Sequence, residues 1–161
     1  CGLSNDMIVM RTIEYIEQNP DVDYVVTQFT VPRRSTYYKN DWQNITPWTN
    51  NVQSDVYYKY LDSQEMRNMN LWKNVYILDQ YLRDIPHYFW RLSESTEDSS
   101  TNDSIFKKVV PWSGMKTLYD LIGRPDTHPN HYVTGHPNEL GHNLIFQHLQ
   151  GVVPNISYHS S

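Results

Sequence analysis

The apolar positions of this chain fall into alternating helical and strand-like segments. Val9, Ile13 and Ile16 recur at helical spacing behind Ser4-Asn5-Asp6, residue types whose side chains cap helix N-termini. The pattern predicts a helix from about residue 5 to residue 18. Asn19-Pro20 ends it, because a proline disfavours helical geometry in the residue before it. Val22–Thr30 (VDYVVTQFT) is rich in β-branched and aromatic residues and poor in charge, which predicts a buried strand of the parallel-sheet kind. Helix, short turn and buried strand form the second half of a βαβ unit, whose first strand is expected before Cys1.

Residues 32–60 read as irregular, with Pro32, Pro47 and many Tyr, Trp and Asn. A long aromatic loop is either a binding surface or a loop that packs its own rings onto the domain. From Ser63 to Asp84 the spacing of Leu71, Val75, Leu78 and Leu82 predicts the longest helix, capped by Ser63. His87–Leu92 (HYFWRL) reads as the next strand, and the acidic run Ser93–Ser104 as an exposed insertion. Lys107–Trp112 is a short strand or a return path, and Met115–Ile122 a short helix stopped by Gly123 and Pro125. A closing helix is predicted over Asn138–Gln150, with Leu140, Leu144 and Leu149 inward and Gly151 as its stop. Alternating helices and buried strands imply an α/β fold: a mostly parallel sheet with helices on both faces and sites at the carboxyl ends of its strands.

Length and charge narrow the function classes. A chain of 161 residues predicts one domain. A net charge of -5 and a pI near 5.7 argue against nucleic-acid binding, which needs a basic face. No apolar run approaches the ~20 residues that span a bilayer, so a soluble chain is expected. The single cysteine, Cys1, excludes an internal disulfide framework. Cys1 reads either as the lipidated start of a processed lipoprotein or as the first residue of a piece of a longer chain.

The sharpest local motif is Gly135-His136-Pro137-Asn138-Glu139-Leu140-Gly141-His142. Pro137 suits the first turn of a helix and pushes His136 into an extended conformation. The imidazole is thereby held on a defined segment, as a general base requires. GHPNELGH resembles the C-terminal block of the SGNH/GDSL hydrolases, in which a His-Pro-Asn run followed by Gly-His opens the last helix. Gly2-Leu3-Ser4-Asn5-Asp6-Met7-Ile8 resembles that family's second block, where a glycine N–H helps to form the oxyanion hole. Thr30-Val31-Pro32-Arg33-Arg34 has the Ser/Thr-x-Pro-x-Arg shape of the SGNH-like proteins of tailed phages.

The resemblance implies a three-layer α/β sandwich of flavodoxin-like topology forming a single domain over residues 1–161, with the first strand either supplied from outside this sequence or missing. It implies ester hydrolysis through an acyl-enzyme, on an acylated carbohydrate or lipid, without a cofactor or metal. His136 matches the base, Gly2 and Asn5 the oxyanion hole, and Thr30 and Arg34 substrate-facing positions; His142 matches a second, structural histidine.

Three departures stand out. The Gly-Asp-Ser block is absent, so the nucleophile is expected outside this sequence, and Ser4 reads as a helix cap. Val133 stands where the family has its acid, which leaves Asp126 as either the orienting carboxylate or a turn residue. The Gly-x-Asn-Asp block is not seen, and Thr30 occupies that region.

Two rival readings remain open. His128, His131, His136, His142 and His148 cluster in sequence as a metal set would, although the last three are six residues apart and do not stack on one helix face. The aromatic loop and 13 tyrosines equally suit a non-catalytic binding or structural module, such as a virion component with protein partners.

Overall fold

The computed structural model describes residues 3–48, 50–92 and 115–153. Helix α1 spans Asn5–Gln18 and opens as its sequence dictates: the Ser4 hydroxyl accepts the Met7 N–H at 3.2 Å. Ser4 itself is fully buried. Its N–H donates to Asn44 Oδ1 at 3.0 Å and its hydroxyl is hydrogen-bonded to that of Thr36.

Strand β1 covers Val25–Phe29, shorter than the apolar run around it. The stretch expected to be irregular contains an antiparallel hairpin, β2 (Ser35–Lys39) and β3 (Asp41–Ile45), turned at Asn40. Asn40 takes a φ of 62°, a left-handed conformation that asparagine tolerates well. Helix α2 (Val52–Val56) follows and runs into a π-helical turn at Tyr57–Leu61. The long helix α3 spans Gln64–Tyr81 behind its Ser63 cap, and its predicted stripe of Leu71, Val75 and Leu78 is buried. Strand β4 is His87–Arg91. The two runs expected at Ser93–Ser104 and Lys107–Trp112 lie outside the described residues.

β1 and β4 pair in parallel, with Val25 opposite His87 and Phe29 opposite Arg91. Arg91 forms a further parallel bridge with Thr117, so pairing continues from β4 on its other side. Helix α4 (Leu118–Ile122) begins at once, held by a reciprocal capping box between Thr117 and Asp120, and Gly123 ends it with a φ of 75°. A 3₁₀ turn (Pro129–His131), a minimal hairpin of β5 (Tyr132–Val133) and β6 (His136–Pro137), and helix α5 (Glu139–Val152) complete the chain.

Helix α5 departs from expectation at both ends. Pro137 lies in β6, before the N-cap Asn138, and Gly151 lies within the helix. Leu140 is exposed, while Leu144 packs inward as expected, together with Ile145.

The core lies on both faces of β4. One cluster joins Val9 and Ile16 of α1, Val25 and Phe29 of β1, and the α3 stripe with Leu82. The other joins Trp90 to Leu118, Ile122, Leu144 and Ile145. Strand alternation sends Phe89 to the first cluster and Tyr88 and Trp90 to the second. Each fully buried Leu or Phe contributes about 1.5–3 kcal/mol. An exposed pair such as Arg11–Glu14 contributes about 1 kcal/mol at most, so the apolar clusters fix the architecture. The fold is mixed α/β.

β1 is not buried on both faces as expected. Val25, Thr27 and Phe29 point inward while Val26 and Gln28 are exposed. The Val25 N–H donates to Pro86 O at 3.0 Å and Phe29 O accepts the Leu92 N–H at 2.9 Å, so these residues bond toward β4. Alternation turns the backbone groups of Val26 and Gln28 to the opposite edge, which no described strand covers. Among the described residues no helix is long and apolar enough to cross a membrane.

Candidate active site

The carboxyl ends of β1 and β4 meet the amino end of α1 and the β5–β6 hairpin around a cleft of about 340 Å³. Leu3, Ile8, Gln28, Thr30, Arg34, Leu92 and His136 line it. Three residues selected from sequence, His136, Thr30 and Arg34, therefore share one cavity. It lies at the sheet edge where parallel α/β folds place their sites.

His136 reaches the cleft through a two-residue turn. Val133 pairs with His136, and Thr134 and Gly135 between them have φ values of 48° and 79°. Two consecutive positive φ angles define the tight hairpin turn whose twist matches its strands. The hairpin is anchored to α5: the Asn138 N–H donates to His131 O at 2.9 Å, and the Asn138 side chain accepts the Gly141 N–H at 3.1 Å. Gly141 is the buried residue of α5, and a Cβ there would stand 2.6 Å from His131 O and 3.0 Å from Pro137 Cβ. The close approach of helix and hairpin thus depends on glycine. His136 is exposed, and neither ring nitrogen has a hydrogen-bond partner among the described residues.

Thr30 is 8% exposed, and its hydroxyl is buried without a partner. Its backbone is engaged by Asn5: Thr30 N–H donates to Asn5 Oδ1 at 2.8 Å, and Asn5 Nδ2 donates to Thr30 O at 3.2 Å. The side chain expected to serve an oxyanion hole is instead a buried clamp between α1 and the end of β1. Arg34 is half-buried, with a buried Nε lacking a hydrogen-bond partner and its guanidinium carbon 5.4 Å from the centre of the Trp48 ring.

The other expected residues do not converge there. Gly2 lies outside the described residues; its neighbour Leu3 lines the cleft. Asp126 is exposed in the turn after α4 and makes no hydrogen bond to His136, so the orienting role is not supported by its position. His142, expected to be structural, is exposed on α5. His148 bonds Tyr88 at 2.8 Å, His131 bonds Ile122 O at 2.5 Å, and His128 bonds the Thr127 hydroxyl at 2.9 Å. No three His, Cys, Asp or Glu side chains among the described residues are placed to hold a metal ion.

Gln28, Leu92 and Trp48 were not singled out from sequence. Period-two alternation from Thr30 would have found Gln28, but nothing local marks Trp48 as the platform for Arg34. A larger groove of about 690 Å³ lies between α1, α3 and the β2–β3 hairpin. It holds none of the expected site residues. Its carboxylate, Asp6, accepts hydrogen bonds from Asn70, Asn74 and Lys73.

No family model, curated protein or solved structure matches the chain.

Proposed function

We propose that the chain carries the base side of an SGNH-type ester hydrolase site, acting on an acyl ester of a carbohydrate or lipid. The observation that carries this reading is the cleft at the sheet's carboxyl edge, where His136 meets Thr30 and Arg34 beside the start of α1. His136 takes the proton of a nucleophilic hydroxyl as that oxygen attacks the acyl carbonyl, then gives it to the departing alcohol. Water hydrolyses the acyl-enzyme with the same imidazole as base. Since Asp126 does not reach the ring, orientation falls to the β5–β6 hairpin and its anchor at Asn138.

The nucleophile in this reading comes from outside the sequence, on a strand parallel to β1. The open backbone edge of Val26 and Gln28 supports it. So does a groove of about 410 Å³ beside that edge, lined by Leu3, Ile8, Tyr15 and Val26 among others. Such a strand would end at the cleft. Apolar clusters on both faces of β4 support the three-layer, single-domain reading.

A non-catalytic binding module is the second reading. It is favoured by a cleft lining that contains no serine and by an imidazole with no carboxylate partner. Activity on activated acyl esters, measured with the full-length gene product, separates the two. The hydrolase reading expects turnover that drops by about 10³-fold or more in His136→Ala. An inert full-length protein leaves the binding module, and turnover indifferent to His136→Ala removes His136 from the mechanism and with it the hydrolase reading of this cleft.

A further inference from the structure

The cleft holds a fixed positive charge and no negative one. Of its seven lining residues only Arg34 is permanently charged. No described carboxylate pairs with that guanidinium, although the side chain is half-buried and its Nε fully so. A cation partly withdrawn from water without a counter-charge is costly unless something completes its hydrogen bonds. Trp48 lies against the guanidinium, 5.4 Å from ring centre to Cζ, which keeps the planar group oriented. In the same cleft the Thr30 hydroxyl is more than nine-tenths buried and without a partner. A rigid fork of donors lining the same cleft as an unused hydroxyl matches the oxygens of a carboxylate.

We infer that the cleft recognises a carboxylate, so that the ligand is an acid-bearing molecule held by Arg34 and Thr30. This deepens the hydrolase reading and rests on it in one respect only: the carboxylate would belong to the alcohol part of the ester, as in an O-acylated sugar acid. Recognition of the acid itself does not require catalysis.

Binding of D-galacturonate, D-galactose and L-lactate to the purified chain, measured by calorimetry and Trp fluorescence, tests the inference. Galacturonate is expected to bind and galactose, its neutral counterpart, at least about tenfold more weakly, the ratio a charged hydrogen-bonded contact commands. Arg34→Gln should abolish that preference. Arg34→Lys should restore part of it, since it keeps the charge but not the fork. Lactate binding as well as galacturonate would place recognition in the carboxylate alone; weaker lactate binding would add the sugar ring. Equal binding of galacturonate and galactose, no binding of any carboxylate, or an Arg34→Gln variant that keeps its melting temperature and its preference overturns the inference. Turnover of neutral esters with no carboxylate preference would sink this inference and spare the hydrolase reading. Carboxylate binding by an inert full-length protein would do the reverse.

Discussion

Asn5 holds Thr30 by both of its backbone groups, accepting its N–H at 2.8 Å and donating to its carbonyl at 3.2 Å. These groups lie at the outer edge of β1, where a neighbouring strand would otherwise pair. The first residue of α1 therefore does with an amide side chain what a strand does with its backbone. It also ties the start of the helix to the floor of the cleft.

Asn5→Ala leaves two buried backbone groups unpaired and is expected to destabilise the protein by about 2–4 kcal/mol. Urea unfolding measures this. A midpoint within error of the parent would show that Thr30 has other partners.

Gly141→Ala places a methyl 2.6 Å from the carbonyl of His131, which also accepts the Asn138 N–H. Backbone cannot yield as a flexible side chain does, so the cost is expected at about 1–3 kcal/mol. The His136 ring resonances should shift with it, because the hairpin that carries the ring rests on α5. Unmoved resonances would separate His136 from that anchor.

Thr134 is β-branched yet has a φ of 48° beside Gly135 in the hairpin turn. Thr134→Asn should stabilise by up to about 1 kcal/mol, since asparagine tolerates this conformation and favours this turn. A rise in melting temperature is expected; a fall would mean that the turn has another geometry in solution.

Asp6 links α1 to α3. Burial alone would raise its pKa, but hydrogen bonds from Asn70 and Asn74 and the charge of Lys73 outweigh it and leave the pKa lowered. The folded value thus lies below the unfolded one of about 3.9. The stability Asp6 provides is present above the unfolded value and lost as pH falls through the folded one. Acid unfolding of Asp6→Asn should be correspondingly less steep than that of the parent; identical profiles would remove Asp6 from the acid response.

The local elements were legible because their causes are local. Ser4 and Ser63 cap the helices their neighbours demand, the α3 stripe follows helical spacing, and β4 lies where HYFWRL placed it. His136 was selected by the resemblance of GHPNELGH to a family block, and the structure places it in the lining of the cleft. The β2–β3 hairpin was missed because its strands lack clean alternation and its turn rests on one asparagine with positive φ. The end of α5 was missed because Gly151 was read as a stop, while the helix continues through it.

What the sequence alone determined is the helices α1 and α3 with their caps and the strand β4, all set by contacts within a few residues. The tertiary structure decided what each polar residue does. Asn5 and Thr30 are 25 positions apart and His136 and Thr30 are more than a hundred, so their encounters depend on which face of the sheet each element covers. That choice is made by burial of Phe29, Trp90 and the α3 stripe, a property of the assembled core and not of any short segment.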